Sequence, residues 1–396
     1  MLFLLLLPSH VFAQPAKPSQ SFNEFLKSFE QVATQAGIHK STYQRATKNL
    51  SIDRSIPNLV RSQPEFTTPI WTYMAKRVSK SRITRGRIAM SKNSKLFEQI
   101  KLKYGVDPAI LGAIWGMETD YGAVLGHKNL IKPIIPSLAT LLYQHRIRHK
   151  QDAQEFIAAL RLVQDYGWSS DRLVGSWAGA IGHTQIIASA LIKHRSDGDN
   201  DGEINPHTSL ADALATSAKY LLFMGYKPNT DWGFEVELPK NFNYTLASRT
   251  NMKPISFFTL RGIIRVGGRK FSNLNEPVFL YIPAGKNGPK FLMTQNYLVL
   301  KSYNFSDSYA LSVAHLTDRL KGSSAFIASW PTKTKFPNLE QRIIIQKKLK
   351  QLGYYKGDID GRLGPISSQA YQSFQLKNNI VADGFITLQS YDLLKN

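Results

Sequence analysis

Glu118 is the residue of this 396-residue chain whose surroundings most strongly suggest chemistry. It follows an almost wholly apolar run, residues 108–117, that has the composition of a buried helix. A carboxylate in such surroundings is costly unless it is paired or protonated. Burial favours the neutral form and raises the pKa, which suits a general acid working near neutral pH. The alternative is a glutamate that simply reaches the surface where the helix ends.

Asp120 is the nearest second carboxylate, but it is a poor catalytic partner. Residues two apart on a helix do not face each other. A two-carboxylate mechanism needs the groups on opposite sides of the bond that is cleaved. The sequence therefore offers one candidate acid and no obvious pair.

An acidic segment, residues 197–203 (DGDNDGE), has the spacing of a calcium loop. Asp197, Asp199 and Asp201 occupy positions 1, 3 and 5, and a glycine occupies position 6. The glutamate expected at position 12 is replaced by Thr208, and Asp212 is a candidate substitute. The pattern predicts a structural calcium site. The alternative is an acidic turn whose Asp and Asn side chains cap their own backbone.

The elements that must position these groups are mainly helical. Apolar residues recur at helical spacing in 21–49, 80–105, 151–165 and 308–320, with Gly37 interrupting the first of these segments. Asp107 followed by Pro108 is typical of a helix start and predicts where the helix of Glu118 begins.

A β-containing part is predicted at about 234–304. Strand-like runs occur at 232–238, 257–266, 278–283 and 291–303. A linker is predicted at 323–337, where Ser, Thr, Pro and Lys dominate without an apolar period. Residues 338–396 have their own apolar pattern. The fold class is therefore mainly α (α+β), with a separate C-terminal module.

The charge balance predicts an anionic partner. The 50 Lys and Arg residues exceed the 28 Asp and Glu residues by 22. Nucleic acid, a membrane surface and an acidic wall polymer all fit this excess. The absence of cysteine excludes a disulfide scaffold, thiolate zinc, iron–sulfur clusters, a cysteine nucleophile and a lipoprotein anchor.

The N-terminus is interpreted as a signal peptide, residues 1–13. An apolar run at 2–7 precedes a loose cleavage site at 11–13, although no Lys or Arg precedes the run. The run is too short to span a bilayer. We therefore expect an exported, soluble, periplasmic protein without a membrane anchor. The alternative is a frayed apolar terminus.

Several segments resemble the lytic murein transglycosylases of the B type. They are residues 115–122 (WGMETDYG) and 175–185 (GSWAGAIGHTQ), with 63–66 (QPEF) and 69–73 (PIWTY) upstream and 283–285 (PAG), 288–289 (GP) and 303–306 (YNFS) downstream. The motifs follow the family's order, and the resemblance covers residues 20–322.

The resemblance implies a lysozyme-like, mainly helical catalytic domain. It implies cleavage of the β-1,4 bond between N-acetylmuramic acid and N-acetylglucosamine without a required cofactor. One glutamate, here Glu118, acts as acid and then as base on the muramoyl 6-hydroxyl, giving a 1,6-anhydro product. The positions that match the family's substrate cleft are Ser176, Gln185, Tyr220, Tyr303, Asn304 and Arg146. Without the family, Ser176 is most simply a turn residue and Tyr220 a core aromatic.

Two segments depart from the family's pattern. Residues 186–189 read IIAS, where the family has an aromatic residue or Met and a Pro-Ser pair, so we expect a less rigid loop. An isoleucine separates Arg146 from Arg148, whereas the family's arginines are often adjacent.

The terminal module resembles a peptidoglycan-binding module of three short helices. The matching segments are 345–349 (IQKKL), 352–355 (LGYY), 359–364 (IDGRLG), 373–375 (SFQ) and 383–384 (DG). Such a module would raise the local substrate concentration of the tethered enzyme. The expected partners are peptidoglycan glycan strands and other cell-wall enzymes, with a monomeric protein and no nucleic acid.

Three alternatives remain open at this point. One is a wall-binding scaffold without activity, and a second is a muramidase-type hydrolase of the same fold. The third is a basic nucleic-acid binder, which the export signal and the lack of a base-reading motif disfavour.

Overall fold

The computed structural model describes residues 21–61, 63–127, 130–144, 149–169 and 173–395. The predicted signal peptide, 1–13, lies outside them. Among the described residues, no helix is both long enough and apolar enough to cross a membrane.

The described residues are mainly helical, and their strands form two small antiparallel sheets, which confirms the predicted fold class. The α-helices are α1 Phe22–Gln35, α2 Lys40–Thr47, α3 Ile56–Arg61, α4 Pro64–Thr67, α5 Ile70–Arg77, α6 Lys80–Lys92, α7 Ser94–Tyr104, α8 Pro108–Thr119, α9 Ile134–Tyr143, α10 His149–Tyr166, α11 Ala188–His194, α12 Leu210–Phe223, α13 Ile255–Thr259, α14 Gln295–Asn304, α15 Asp307–Leu320, α16 Leu339–Gln351, α17 Pro365–Lys377 and α18 Leu388–Lys395. The strands are β1 Lys132–Pro133, β2 Val174–Gly175, β3 Ala180–Ile181, β4 Ile186–Ile187, β5 Gly233–Glu237, β6 Lys253–Pro254, β7 Ile264–Arg265, β8 Pro277–Tyr281 and β9 Lys290–Met293.

These elements form two compact units. Residues 21–230 and 297–325 make up the first, here called the helical unit. Residues 231–296 and 326–395 make up the second, here called the mixed unit.

Helix α8 lies in the interior of the helical unit and carries Glu118 on its last turn. The Asp107 carboxylate caps its start by accepting the Ala109 N–H at 2.8 Å, as predicted, and Pro108 occupies the first turn. Every residue from Ala109 to Met117 is buried, and α15, α6 and α7 pack against the helix. The helix ends at Asp120, whose backbone is left-handed (φ 50°).

A second core in this unit joins α1, α9 and α10. Phe22, Phe25 and Phe29 of α1 contact the rings of Tyr143 and Phe156. Gly37 (φ 89°) separates α1 from α2, which agrees with the interruption expected there. This core supports the small sheet that follows.

The small sheet has the order β1-β2-β3-β4 and is antiparallel throughout. Each of its strands has only two residues. The main effect of the sheet is therefore to hold two tight turns in place, residues 176–179 and 182–185. Gly179 (φ 86°), Gly182 (φ 74°) and Gln185 (φ 50°) take left-handed backbone conformations in these turns.

The sheet of the mixed unit has the order β6-β8-β9-β5-β7 and packs over a core that includes Phe234, Phe258 and Leu280. The prediction of strands was wrong for 257–259, which end α13, and for 295–303, which lie in α14. Short apolar runs do not distinguish a strand from a buried helix by periodicity alone.

The segment predicted as a linker forms neither helix nor strand, yet it is held in place. The buried Glu235 carboxylate accepts the backbone N–H groups of Ile327 and Ala328 at 2.9 and 2.8 Å. The Phe326 ring packs edge-on against Phe291, with centroids 4.9 Å apart. These contacts attach the segment to the sheet of the mixed unit.

The C-terminal module consists of α16, α17 and α18, as predicted. Each of its two Asp-Gly turns is bonded by a buried glutamine. Gln346 accepts the Gly361 N–H at 2.7 Å, and Gln375 accepts the Gly384 N–H at 2.8 Å. The same glutamines donate to Asp360 and Asp383, both at 3.0 Å, so each amide satisfies both groups of its turn.

Candidate active site

Glu118 is a partly buried carboxyl group, and among the described residues one side chain donates a hydrogen bond to it. The Tyr309 hydroxyl, from α15, donates to its Oε1 at 2.6 Å. Burial raises the pKa of Glu118 to about 7, against the lowering effects of the Tyr309 bond and the Arg77 charge. The group therefore exchanges its proton near neutral pH, which is the property expected of a catalytic acid and base.

Tyr309 itself is a neutral donor at any physiological pH. Burial and the nearby Glu118 charge raise the pKa of its hydroxyl well above the ordinary value. Sequence reasoning did not single out this residue. A signal did exist, since Tyr309 lies in the segment 308–320 that was predicted to be helical, and a buried tyrosine usually has a hydrogen-bond partner.

Asp120 does not join Glu118 in a carboxylate pair. Its oxygens accept from Arg82 Nε at 3.1 Å and from Arg85 Nη2 at 2.9 Å. Burial raises the pKa of Asp120, but the bonds to the two arginines outweigh that effect and hold the pKa below its usual value. Asp120 is a fixed anion at the end of α8 and does not exchange protons with the site.

Tyr303 and Tyr220 lie together beside Tyr309. The Tyr303 ring is parallel to that of Tyr309, with centroids 6.5 Å apart, and lies 5.8 Å from the Tyr220 ring. The Tyr303 hydroxyl donates to the Thr184 carbonyl at 2.8 Å. It also lies 3.3 Å from the Ser217 hydroxyl, another residue that the sequence did not reveal. This contact network joins α14 and α15 to the turn of residues 182–185.

Ser176 and Gln185 lie in the two turns of the small sheet. The Ser176 hydroxyl oxygen accepts the Ala180 N–H at 3.1 Å, so the residue does shape its turn. The Gln185 amide nitrogen donates to the Gly182 carbonyl at 2.8 Å. Both side chains remain partly exposed and retain further hydrogen-bonding capacity, a hydroxyl proton and an amide oxygen.

Of the two remaining residues predicted to line the cleft, Asn304 and Arg146, only Asn304 is described by the structure. Asn304 is the last residue of α14 and is partly exposed, directly after Tyr303. Arg146 lies in the interval 145–148, outside the described residues.

Residues 186–189 lack the proline of the family's pattern, and a contact between Ser189 and Glu155 restrains the segment instead. Ser189 donates to the carboxylate of Glu155 twice, from its backbone N–H at 3.0 Å and from its hydroxyl at 2.5 Å. Glu155 is buried in α10 and is only 3% exposed. The expectation of a loose loop is therefore not supported, because a buried carboxylate supplies the restraint that the missing proline would give.

The acidic loop brings together a different set from the one predicted. Carboxylate oxygens of Asp197, Asp199 and Asp212 lie within 4.8 Å of one another. Asp201 is not in this cluster, because its carboxylate turns back and accepts the Glu203 N–H at 2.7 Å. Asp212 is buried, and its two oxygens accept backbone N–H groups at 2.8 and 2.7 Å. Three clustered carboxylates are a hard oxygen donor set that fits a calcium ion.

Comparisons with known proteins agree with this architecture. Residues 21–318 match the family described as transglycosylase SLT domain, and residues 338–394 match a peptidoglycan binding domain. The chain is 24% identical over 272 residues to membrane-bound lytic murein transglycosylase B of Escherichia coli K12, covering 67% of this chain and 71% of that protein.

Solved structures show the same fold. SltB3 from Pseudomonas aeruginosa, in complex with NAG-anhNAM-pentapeptide, is 35% identical and superposes with a TM-score of 0.88, covering 96% of this chain and 100% of SltB3. Escherichia coli Slt35, in complex with calcium, has a TM-score of 0.61 at 21% identity, covering 76% of this chain and 92% of Slt35.

The family match spans three quarters of the chain and includes α8, the small sheet and α15 as far as residue 318. The chain therefore belongs to the SLT-domain transglycosylases and is a peptidoglycan lytic transglycosylase with a C-terminal peptidoglycan-binding domain.

Proposed function

We propose that Glu118 carries out both proton transfers of the lytic reaction. Protonated Glu118 gives its proton to the glycosidic oxygen as the bond from muramoyl C1 to that oxygen breaks. The resulting carboxylate then removes the proton of the muramoyl 6-hydroxyl, whose oxygen forms the new bond to C1. The 1,6-anhydro ring closes, no water is consumed, and Glu118 is again protonated.

The observation that carries this proposal is the environment of one carboxyl group. A pKa near 7 leaves comparable amounts of acid and base at neutral pH, so one group can serve both steps. The nearest carboxylate in sequence, Asp120, is bound to two arginines. A second nucleophilic carboxylate is therefore not supplied by the end of α8.

The turns of the small sheet supply groups for binding sugar. We assign the Ser176 hydroxyl and the Gln185 amide to hydrogen bonds with sugar hydroxyl or acetamido groups. Tyr220, Tyr303 and Asn304 would border the same sugars, and Arg146 would contact them from the segment after α9. SltB3 was crystallised with peptidoglycan fragments, and its 35% identity over almost the whole chain supports the same substrate class here.

At the level of the cell, we infer a monomeric, exported enzyme of the periplasm that acts on peptidoglycan. Support comes from the apolar N-terminal run and from the peptidoglycan binding domain at 338–394. Other cell-wall enzymes are the proposed protein partners. The excess of 22 positive charges would attract the peptide carboxylates of the wall over about 8–10 Å at physiological salt.

We also propose a structural calcium ion held by Asp197, Asp199 and Asp212. Asp212 is buried, and burial and the charges of the other two carboxylates raise its pKa. A bound cation would remove that repulsion and stabilise the loop before α12. The calcium complex of Slt35 adds support from a protein of the same fold. The ion has no role in the proton transfers.

A digest of purified sacculi tests the assignment of Glu118. We expect the wild-type protein to release anhydro-muropeptides and Glu118→Gln to release none. Glu98→Gln is the matched control, since it makes the same change at an exposed glutamate of α7 and should retain activity. Wild-type products with reducing ends would identify a hydrolase, and no products at all would identify a wall-binding scaffold. An active Glu118→Gln variant would contradict the assignment.

A further inference from the structure

The end of α8 has an unusual backbone that needs external restraint. The three residues after Thr119 all have positive φ: Asp120 (50°), Tyr121 (62°) and Gly122 (86°). For two of these residues, which are not glycine, such angles are strained and persist only where the surroundings fix them. The direction of the Glu118 side chain depends on this turn, because only Thr119 separates Glu118 from it.

His183 contacts the chain on both sides of Glu118. Its Nδ1 accepts the indole N–H of Trp115 at 3.1 Å, and its carbonyl oxygen accepts the Thr119 hydroxyl at 2.7 Å. The Thr119 hydroxyl oxygen in turn accepts the Gly122 N–H at 3.2 Å. A Cβ at Gly122 would lie only 2.9 Å from the imidazole Cε1, so the ring also faces the strained turn closely.

The imidazole is suited to this role only in its neutral form. An indole N–H can only donate, so Nδ1 must be unprotonated and the ring proton must lie on Nε2. Burial and the neighbouring His207 lower the pKa of His183 to about 4, which keeps the ring neutral at physiological pH.

The other side of His183 is fixed as well. Its backbone N–H donates to the Pro206 carbonyl at 2.9 Å. The next residue, Thr184, accepts the Tyr303 hydroxyl on its carbonyl oxygen. The turn of residues 182–185 is thus bonded to α8, to the segment before α12 and to the tyrosines beside Glu118. It is a rigid support and not a free loop.

We propose that His183 is a positioning residue for the lytic reaction. Its bonds to Trp115 and Thr119 fix the last turn of α8 so that Glu118 is aimed at the glycosidic oxygen. This inference rests on the proposed role of Glu118. A small misplacement of a catalytic group is costly to the rate, and the loss should be found in kcat and not in KM, because His183 is not assigned a sugar contact.

The test compares His183→Leu with His183→Asn on a soluble peptidoglycan oligosaccharide. Leucine removes the acceptor, whereas the asparagine Oδ1 can replace Nδ1. We expect His183→Leu to lower kcat about tenfold, as loss of one hydrogen bond of roughly 1.4 kcal/mol would. KM should stay within about twofold, and His183→Asn should recover most of kcat. The indole N–H signal of Trp115 in a ¹H–¹⁵N spectrum should shift in the leucine variant and return in the asparagine variant.

If His183→Leu does not fold, the inference can still be tested at Trp115, which donates the hydrogen bond that His183 accepts. Trp115→Phe removes the same bond and should lower kcat to a similar extent, and the double variant should lose no more than either single one. Wild-type kcat in His183→Leu or in Trp115→Phe would overturn the inference. So would a folded His183→Asn that is as slow as the leucine variant, or a loss confined to KM.

The two proposals fail separately. If Glu118→Gln remains active, the assignment of the catalytic acid is wrong whatever His183 does. If Glu118→Gln is inactive and His183→Leu has wild-type kcat, only the positioning role is wrong.

Discussion

At the scale of single residues, Glu118 is a carboxyl group tuned by two opposing influences. Burial raises its pKa, and the hydrogen bond from Tyr309 lowers it. The first transfer requires the protonated form, so activity should fall as pH rises through about 7. The sequence could reveal the first influence from the apolar run before Glu118. It could not reveal the second, because Tyr309 lies 191 residues away and meets Glu118 only in the folded chain.

The Tyr309 bond gives a residue-scale prediction. Tyr309→Phe removes a donor that stabilises the charged form, so the pKa of Glu118 should rise. The alkaline limb of the kcat/KM profile should then move to higher pH, by up to about one unit for a bond to a charged group.

Tyr297→Phe is the matched control for that measurement. It also removes a tyrosine–carboxylate hydrogen bond, the 3.0 Å bond to Asp307, but one that does not reach Glu118. The alkaline limb of the kcat/KM profile of Tyr297→Phe should coincide with that of the wild type. A limb in Tyr309→Phe that stays in place or moves to lower pH would contradict the account.

At the scale of elements, the site is built where short turns meet the end of a buried helix. The capping of α8 by Asp107 and Pro108 could be predicted, because capping is a local interaction. The two-residue strands of the small sheet could not, since their pairing depends on distant partners such as Lys132 and Gly175. The wrong strand predictions at α13 and α14 have a related cause, because short apolar runs fit either structure.

The contact of Ser189 with Glu155 gives an element-scale prediction. Ser189→Ala removes one of the two hydrogen bonds that Ser189 donates to the Glu155 carboxylate, which is only 3% exposed. Leaving such a group partly unsatisfied should cost about 1–3 kcal/mol of stability. We expect a lower melting temperature and a higher KM, because the turn that carries Gln185 leads into this segment.

Ser373→Ala is the control for Ser189→Ala. Ser373 is exposed, and its hydroxyl donates to the Gln369 carbonyl within the same helix, α17. Ser373→Ala should therefore have a melting temperature and a KM close to those of the wild type. Equal melting temperatures for Ser189→Ala and the wild type would show that Glu155 does not anchor the turn.

The acidic loop gives a second prediction at this scale. Adding Ca²⁺ after chelation should raise the melting temperature of the wild type, because binding to the folded state alone is stabilising. Asp212→Asn should abolish the shift, and Asp201→Asn should retain most of it, since Asp201 lies outside the cluster. A calcium-dependent shift that survives in Asp212→Asn would exclude this donor set.

At the scale of the whole molecule, the mixed unit combines the β sheet and the C-terminal module. The Asp383 carboxylate of the module accepts the Lys286 N–H at 2.9 Å. Gln372 of the module donates to the Tyr244 carbonyl at 3.1 Å. Composition predicted a linker before the module, but it could not show that Glu235 would bind the backbone of that segment. The sequence therefore predicted the parts of this unit better than the way they are joined.

Gly285 tests whether the module is held against the sheet. Its φ is +61°, and a Cβ there would lie 2.6 Å from Asp383 Oδ2 and 2.7 Å from the Phe385 Cβ. Gly285→Ala should therefore loosen the contact and speed tryptic cleavage at Lys333 and Lys335. Gly268→Ala is the matched control, because Gly268 has a similar φ of +68° and no atom within 4 Å of its Cβ position. Equal cleavage rates in the two variants would contradict the proposed attachment.

The central claim is that one group, Glu118, closes an internal ring and that water does not attack. Digestion of sacculi in H₂¹⁸O, followed by mass spectrometry of the released muropeptides, tests this claim most directly. We predict anhydro-muropeptides without ¹⁸O at the muramoyl end and no release by Glu118→Gln. Incorporation of one ¹⁸O per cleaved bond would show hydrolysis and would contradict the account.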